Sequence, residues 1–222
     1  MAIAHVNRAE GFSITSGTTI ATAAANHTTG NLLAVFLNIQ ASDTPTITDT
    51  AGNTWTATPS SPAHPTGVNY IWVFYAANIT GNASNVITAN WSTSTGYAAI
   101  SVRQFSGVAT TSPLEDDDKG TGISTSLATP SLTVTSSEGV IFAGMEADGI
   151  PITGGSGYTF TAITDGFGGY TGDEYKIVTA SEAATASQID AYAWGITAGL
   201  FKTGGVATAT ATPHTLLLMN VG

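Results

Sequence analysis

Four consecutive acids, Glu115, Asp116, Asp117 and Asp118, form the densest chemistry-bearing run of this chain. Carboxylates and backbone carbonyls together can supply the roughly six to eight oxygens that a hard cation such as Ca2+ takes. Adjacent acids on an extended backbone point in alternating directions, however, and the spaced Asp-x-Asp-x-Asp-Gly pattern of a calcium loop is missing. A solvated loop is the favoured reading, with Glu115, Asp116 and Asp118 as the candidate Ca2+ ligands and no other cofactor indicated. Glu146 and Asp148 occupy alternate positions on one strand face. Two carboxylates facing one cleft are what glycoside hydrolysis needs, but nothing around this pair supports that chemistry. Asp173 and Glu174 are weaker candidates still.

Nucleophile and metal motifs are missing. Gly154-Gly155-Ser156-Gly157 is followed by Tyr158, so the last glycine of a nucleophile elbow is not there, and the run reads as a turn. His5, His27, His64 and His214 lie in separate turns or tails, without the i, i+4 or alternate spacing of a metal site. They read mostly as solvated loop residues. Aromatic rings offer the remaining chemistry, stacking on sugars. Trp72 and Trp194 lie inside strongly apolar segments and read as core. Trp55, Trp91 and Tyr97 lie near turns and are the candidate ligand-binding set, against a plainer reading in which aromatics fill a core.

The elements that must position these groups are strands. Val, Ile, Thr and aromatics alternate, Gly, Asn, Asp and Pro punctuate, and no long helical stripe appears. Residues 32–40, LLAVFLNIQ, are apolar on both faces, as expected of a central strand in a layered fold. In 68–78, VNYIWVFYAAN, the pattern turns Tyr70, Trp72 and Phe74 one way and Ile71, Val73 and Tyr75 the other. Residues 45–58 read as a hairpin about Asp49, Gly52 and Asn53. Residues 85–92 and 97–108 read as adjacent antiparallel strands, with Ile100 and Val102 facing the core and Arg103 opposite. Residues 110–125 combine Pro, Gly, Ser and the acidic run and read as an exposed loop. Strand patterns resume beyond it at 131–136, 139–147, 158–163, 172–180, 187–193 and 194–202. The expectation is an all-β chain, an antiparallel β-sandwich of jelly-roll or Greek-key kind. It divides into an N-terminal segment (1–16), one sandwich domain (17–202) and a C-terminal arm or final strand (203–222).

Composition narrows the function. Charged residues are 9 % of the 222, against roughly 25 % in typical globular proteins. The five basic residues, Arg8, Arg103, Lys119, Lys176 and Lys202, are scattered, and the net charge is −10. Phosphate binding needs clustered cations, so nucleic acid and anionic membrane surfaces are poor partners. There is no Cys, so no disulfide staples the fold. The first residues lack the basic-then-apolar order of a signal peptide, and no stretch reaches the ~20 apolar residues of a membrane span. A Thr/Ser/Gly surface loses little side-chain entropy when a neighbour immobilises it. The tail ends in Leu216, Leu217, Leu218 and Met219, an apolar run that suits a partner's groove.

The order of GTTIATA (17–23), GNLLAVFL (30–37), ITDTAGNTW (47–55), FYAANI (74–79), NVITANWS (85–92), AAISVRQFSGV (98–108), SPLED (112–116) and AYAWGITAGLFK (191–202) resembles a β-sandwich domain of phage virion proteins and large secreted bacterial proteins. The resemblance implies a jelly-roll-like unit in an accessory, adhesive or structural role, without catalytic residues. The expectation is a non-enzymatic structural protein of a phage particle (capsid decoration, coat or tail). It would form homo-oligomers and touch other virion proteins through its termini. The alternative is a carbohydrate-binding module of a secreted or surface protein, taking a glycan on Trp55, Trp91 or Tyr97.

Overall fold

Every residue of Leu32–Ile39 is buried, as apolar side chains on both faces of a strand require. The structure, a computed structural model, describes residues 1–65, 67, 69–163 and 170–204. In chain order its strands are β1 (Ala4–Ser13), β2 (Gly17–Ala21), β3 (Ala25–His27), β4 (Leu32–Ile39), β5 (Thr46–Asp49), β6 (Thr56–Ala57), β7 (Tyr70–Ala76) and β8 (Asn82–Asn85). There follow β9 (Ile87–Thr95), β10 (Ala98–Ser106), β11 (Leu114–Ala128), β12 (Gly139–Ala147), β13 (Ile152–Gly154), β14 (Thr159–Ala162), β15 (Thr171–Val178) and β16 (Thr185–Lys202). The fold is all-β, built as an antiparallel β-sandwich.

The central layer is a five-stranded sheet in the order β1-β10-β4-β7-β6. One face meets the three-stranded sheet β2-β9-β5, with β3 and β8 paired separately. Between them Leu33, Val35, Leu37, Trp72, Phe74, Ile100 and Val102 pack on Ile20, Ile47, Ile87, Ala89 and Trp91. The other face meets a six-stranded sheet whose path is β11-β16-β12-β15-β14, with β13 on β16. There Ala34, Phe36, Ile71, Val73 and Phe105 pack on Val140, Phe142 and Phe201. A third core, including Ile141, Met145, Trp194, Ile196 and Leu200, fills the far face of that sheet. The alternation read in 68–78 therefore holds: Trp72 and Phe74 enter one core, Ile71 and Val73 the next. Trp194 is core as well.

Several expectations change. Residues 114–128 are a strand, β11, and not a loop; it is an edge strand whose outer row of polar groups carries acids, a common guard against edge-to-edge pairing. The 45–58 turn forms, with the amide of Gly52 (φ 74°) donating to the carbonyl of Asp49, but its two arms part: β5 pairs with β9 and β6 with β7. Likewise β9 and β10 are not neighbours. β9 is buried on alternate residues over its first half and lies in an outer layer, whereas β10 is buried almost throughout and lies in the central one. In 131–136 only an isolated bridge, Leu132 to Glu182, forms. Residues 187–202 belong to one long strand, β16. The N-terminal segment is no appendage, since β1 is an edge strand of the central sheet, paired along β10.

Candidate functional site

The aromatic set does not form one face. Trp91 is 7 % exposed and stands with Ile87 and Ala89 in the first core, and Trp55 packs half-buried against that core. The alternation Ile87, Ala89, Trp91 was the signal that places Trp91 inside. The core reading favoured for the set thus fits Trp91, which is closed to a stacking ligand; Trp55 is half-covered, and Tyr97 packs against the second core.

The acidic run is dispersed by its hydrogen bonds. Glu115 accepts from the amides of Thr135 (2.9 Å) and Ser136 (2.7 Å) and from both their hydroxyls. Burial alone would raise its pKa; these donors outweigh it and hold the carboxylate below its usual value. Asp116 accepts from Thr133 N at 2.6 Å, Asp117 from Ser60 N at 2.5 Å and Asp118 from Lys119 N at 2.8 Å. Glu115, Asp116 and Asp118 therefore serve backbone turns and do not converge as Ca2+ ligands. Among the described residues no group of three or more His, Asp or Glu is arranged to hold a metal. The run Leu216, Leu217, Leu218 and Met219 lies outside the described residues.

What the fold does bring together is a polar pocket of about 330 Å³ at one end of the two large sheets. The antiparallel register explains its make-up. Ile39 pairs with both Tyr70 and Ala98, and Glu146 with Thr171. So Gln40 just after β4, Asn69 just before β7, Tyr97 just before β10, Tyr170 just before β15 and Asp148 just after β12 gather around Glu146. Glu146 is 8 % exposed. Its Oε1 accepts from Asn69 Nδ2 at 2.9 Å, while Oε2 is enclosed without a partner. Burial pushes its pKa up to about 8; the nearby amides of Asn38 and Asn69 work against that, and the nearby Asp148 adds to it. The carboxyl is mostly neutral at pH 7.

No family model, curated protein or solved structure matches this chain. Glu146 and Asp148 do share a cavity, as their alternate spacing allows, but Gln40, Asn69 and Tyr170 come from three other segments and carried no signal of their own.

A second charged cluster is wholly structural. Arg103 donates to Asp173 across the interface of the two large sheets and to Thr161 Oγ1 at 2.8 Å. Arg8 reaches the same carboxylate at 2.8–2.9 Å and also pairs with Glu10. His5 stacks on Tyr175 at 4.8 Å beside them, and burial lowers its pKa. His27 is buried too, its Nδ1 against Asn85 Nδ2 at 3.1 Å, so two of the four histidines are not solvated loop residues. Glu174 is also buried, accepting from Gly155 N at 3.0 Å, and its pKa is pushed up to about 8 by burial.

One surface feature stands out. About the bulge where β11 and β16 pair, Ile123 is 74 % and Ile189 78 % exposed, and Tyr192, opposite Ser124 in the register, is exposed on the other face of the ribbon from Ile123. A dimple of about 150 Å³ lined by Pro65, Thr121, Gly122, Ile123 and Ala193 opens beside them.

Proposed function

We propose that this chain is a non-enzymatic structural protein that makes contacts within a larger particle, most simply a phage virion accessory (capsid decoration, coat or tail) protein that associates with copies of itself. The observation that carries this reading is the exposure of Ile123, Ile189 and Tyr192 on the two faces of the β11–β16 ribbon about its bulge. Exposed apolar residues grouped among polar ones mark contact surfaces. The layered sheets behind the ribbon supply rigidity, so docking orders little further chain. The apolar run Leu216–Met219 adds a second attachment point by insertion into a neighbour's groove.

The paired carboxyls do not favour an enzyme. A general acid must bring its proton within hydrogen-bond reach of the reacting atom. Glu146 Oε1 accepts from Asn69 and Oε2 is enclosed, which supports a structural role for this carboxyl over a catalytic one.

Sedimentation equilibrium on the full chain tests the proposal. The intact protein is expected to associate, and the triple variant Ile123→Ser, Ile189→Ser, Tyr192→Ser, or deletion of 206–222, to shift the mass towards the monomer with an unchanged melt. A monomeric intact protein, or an oligomer indifferent to both changes, overturns it.

A further inference from the structure

We propose that the pocket around Glu146 binds a single neutral sugar ring, held by the amides of Asn69 and Gln40 and lined by the rings of Tyr97 and Tyr170. The inference is independent of the assembly reading, since none of Ile123, Ile189 and Tyr192 lines the pocket.

Size sets the first limit. About 330 Å³ is at the lower end for small-molecule sites, enough for one ring and little more. Charge sets the second. Among the described residues no Lys or Arg lines the pocket, and Asp148 stands in its wall, so phosphate, sulfate or a carboxylated sugar would meet repulsion without a cationic partner. A hard cation fares no better, because the second carboxyl, Glu146, is buried and mostly protonated. An apolar ligand would strand two amides and two carboxyls. What remains is a molecule that is uncharged, rich in hydroxyls and able to show a C–H face to an aromatic ring.

The wall groups suit that molecule. A carboxamide offers donors and an acceptor together, which is what a vicinal pair of hydroxyls needs. Asn69 gives one N–H to Glu146 Oε1, which leaves its second N–H and its Oδ1 for a ligand in a fixed orientation. Gln40 Oε1 accepts from Gly96 N at 3.2 Å, which leaves its Nε2 to donate. Glu146 is thus a positioning residue that acts through Asn69. Tyr97 is braced edge-on by Phe12 at 5.5 Å. Groups held before the ligand arrives lose less entropy on binding.

Saturation-transfer NMR on the full chain, with free glucose, galactose, mannose and N-acetylglucosamine at about 10 mM, together with a printed glycan array, tests the site. At least one neutral sugar is expected to bind. Binding to the array alone would make the terminal unit of a glycan chain the source, and binding to both the free monosaccharide. Tyr170→Ala and Asn69→Ala should each weaken it about tenfold or more, Tyr170→Phe should keep it, and Val6→Ser, exposed at the far end of the β1–β10 pair, should leave it unchanged. If Tyr170→Ala melts early, Asn69→Ala and Asn69→Asp carry the test. Silence in both assays overturns the proposal. So does binding that survives all pocket variants, or binding confined to sialylated or phosphorylated glycans.

Discussion

Arg103 and Asp173 join hands across the interface of the two large sheets, and Asp173, with no exposed surface, also receives Arg8. Two guanidiniums therefore lean on one buried carboxylate. Removing one partner of a buried ion pair leaves a charge that neither water nor protein solvates. Asp173→Ala is expected to destabilise the fold by about 3–5 kcal/mol in urea unfolding. The double change Arg103→Met, Asp173→Leu should recover part of that loss, because an apolar pair does not pay for desolvation. A double variant worse than Asp173→Ala would show that the pair itself, and not its orphaned half, carries the stability.

Glu146 and Glu174 make stability fall as pH rises. Both have an ordinary value of 4.5 and are pushed up to about 8 in the fold, chiefly by burial. Between those values the native state binds more protons than the unfolded chain, so unfolding free energy decreases with pH. Their favourable contribution is complete below about pH 4.5 and is lost as pH climbs through about 8, with a slope of up to roughly 1.4 kcal/mol per pH unit for each group. His5 and His27, whose values burial lowers from 6.5, work the other way below that pH, so the two acids are read above it. Denaturant melts at pH 7, 8 and 9 should show the decline. Glu146→Gln, which cannot ionise, should flatten it and be more stable than the parent chain at pH 9. A parent curve that is flat from pH 7 to 9 would contradict the shifts.

The legible parts of this fold were those encoded within one segment. The doubly apolar Leu32–Ile39 announced a central strand, and the alternation in Tyr70–Ala76 sorted its side chains between two cores. What one segment could not encode was its partner. Strand β11 looked like a loop because Pro113 just before it and its own Gly and acids are turn chemistry. Its acids are spent on the amides of Thr133, Thr135 and Ser136, and no spacing rule links those positions. Arg103 was correctly set opposite Ile100 and Val102, but that opposite face is a second core, and only the stacking of β10 on β15 across the two sheets reveals Asp173. The pocket was half-visible for the same reason: the spacing of Glu146 and Asp148 was readable, whereas Gln40, Asn69, Tyr97 and Tyr170 meet only because three pairs of strands end together.

Gly144 marks the closest approach of the two large sheets. A Cβ built there would lie 2.0 Å from Cδ2 of Phe36, a fully buried ring of the central sheet. Gly144→Ala must therefore displace Phe36 or part the layers. Overpacking of this kind costs about 1–3 kcal/mol. Adding Phe36→Leu should return part of that loss by vacating the space, and coupling between the two changes in a double-mutant cycle is the measurement that checks it. Additive effects would mean that the sheets separate as rigid bodies instead.

Asn85 holds the small outer strands to the sandwich. It is completely buried; its Oδ1 accepts from Thr50 Oγ1 (2.9 Å) and Ala51 N (3.1 Å), and its Nδ2 faces His27 Nδ1 and Asp49 Oδ2, each at 3.1 Å. Asn85→Ala strands several of these groups in a site that water does not reach, at an expected cost of about 2–4 kcal/mol. Asn85→Asp keeps the acceptor but turns the other side towards Asp49, so it should be no better than Ala above pH 5 and improve as acid neutralises the pair. Amide exchange localises the effect: protection should drop first at Thr50, Ala51 and along β3 and β8, while the amides of β4 and β10 stay protected. Uniform loss of protection across all sheets would mean that these outer strands open only with the whole domain.

Glu115 provides the sharpest check on the acidic run. Its two oxygens already receive the amides and hydroxyls of Thr135 and Ser136, so a cation would have to displace hydrogen bonds that the turn needs. Adding millimolar Ca2+ or a chelator should leave the melting temperature unchanged. Glu115→Ala should lower stability by about 1 kcal/mol through the loosened 133–136 turn, and Glu115→Gln by less, since the amide oxygen still accepts. A Ca2+-dependent rise in melting temperature that vanishes in Glu115→Gln would mean that the carboxylate leaves the turn for a metal, which would restore the ion-binding reading of the sequence.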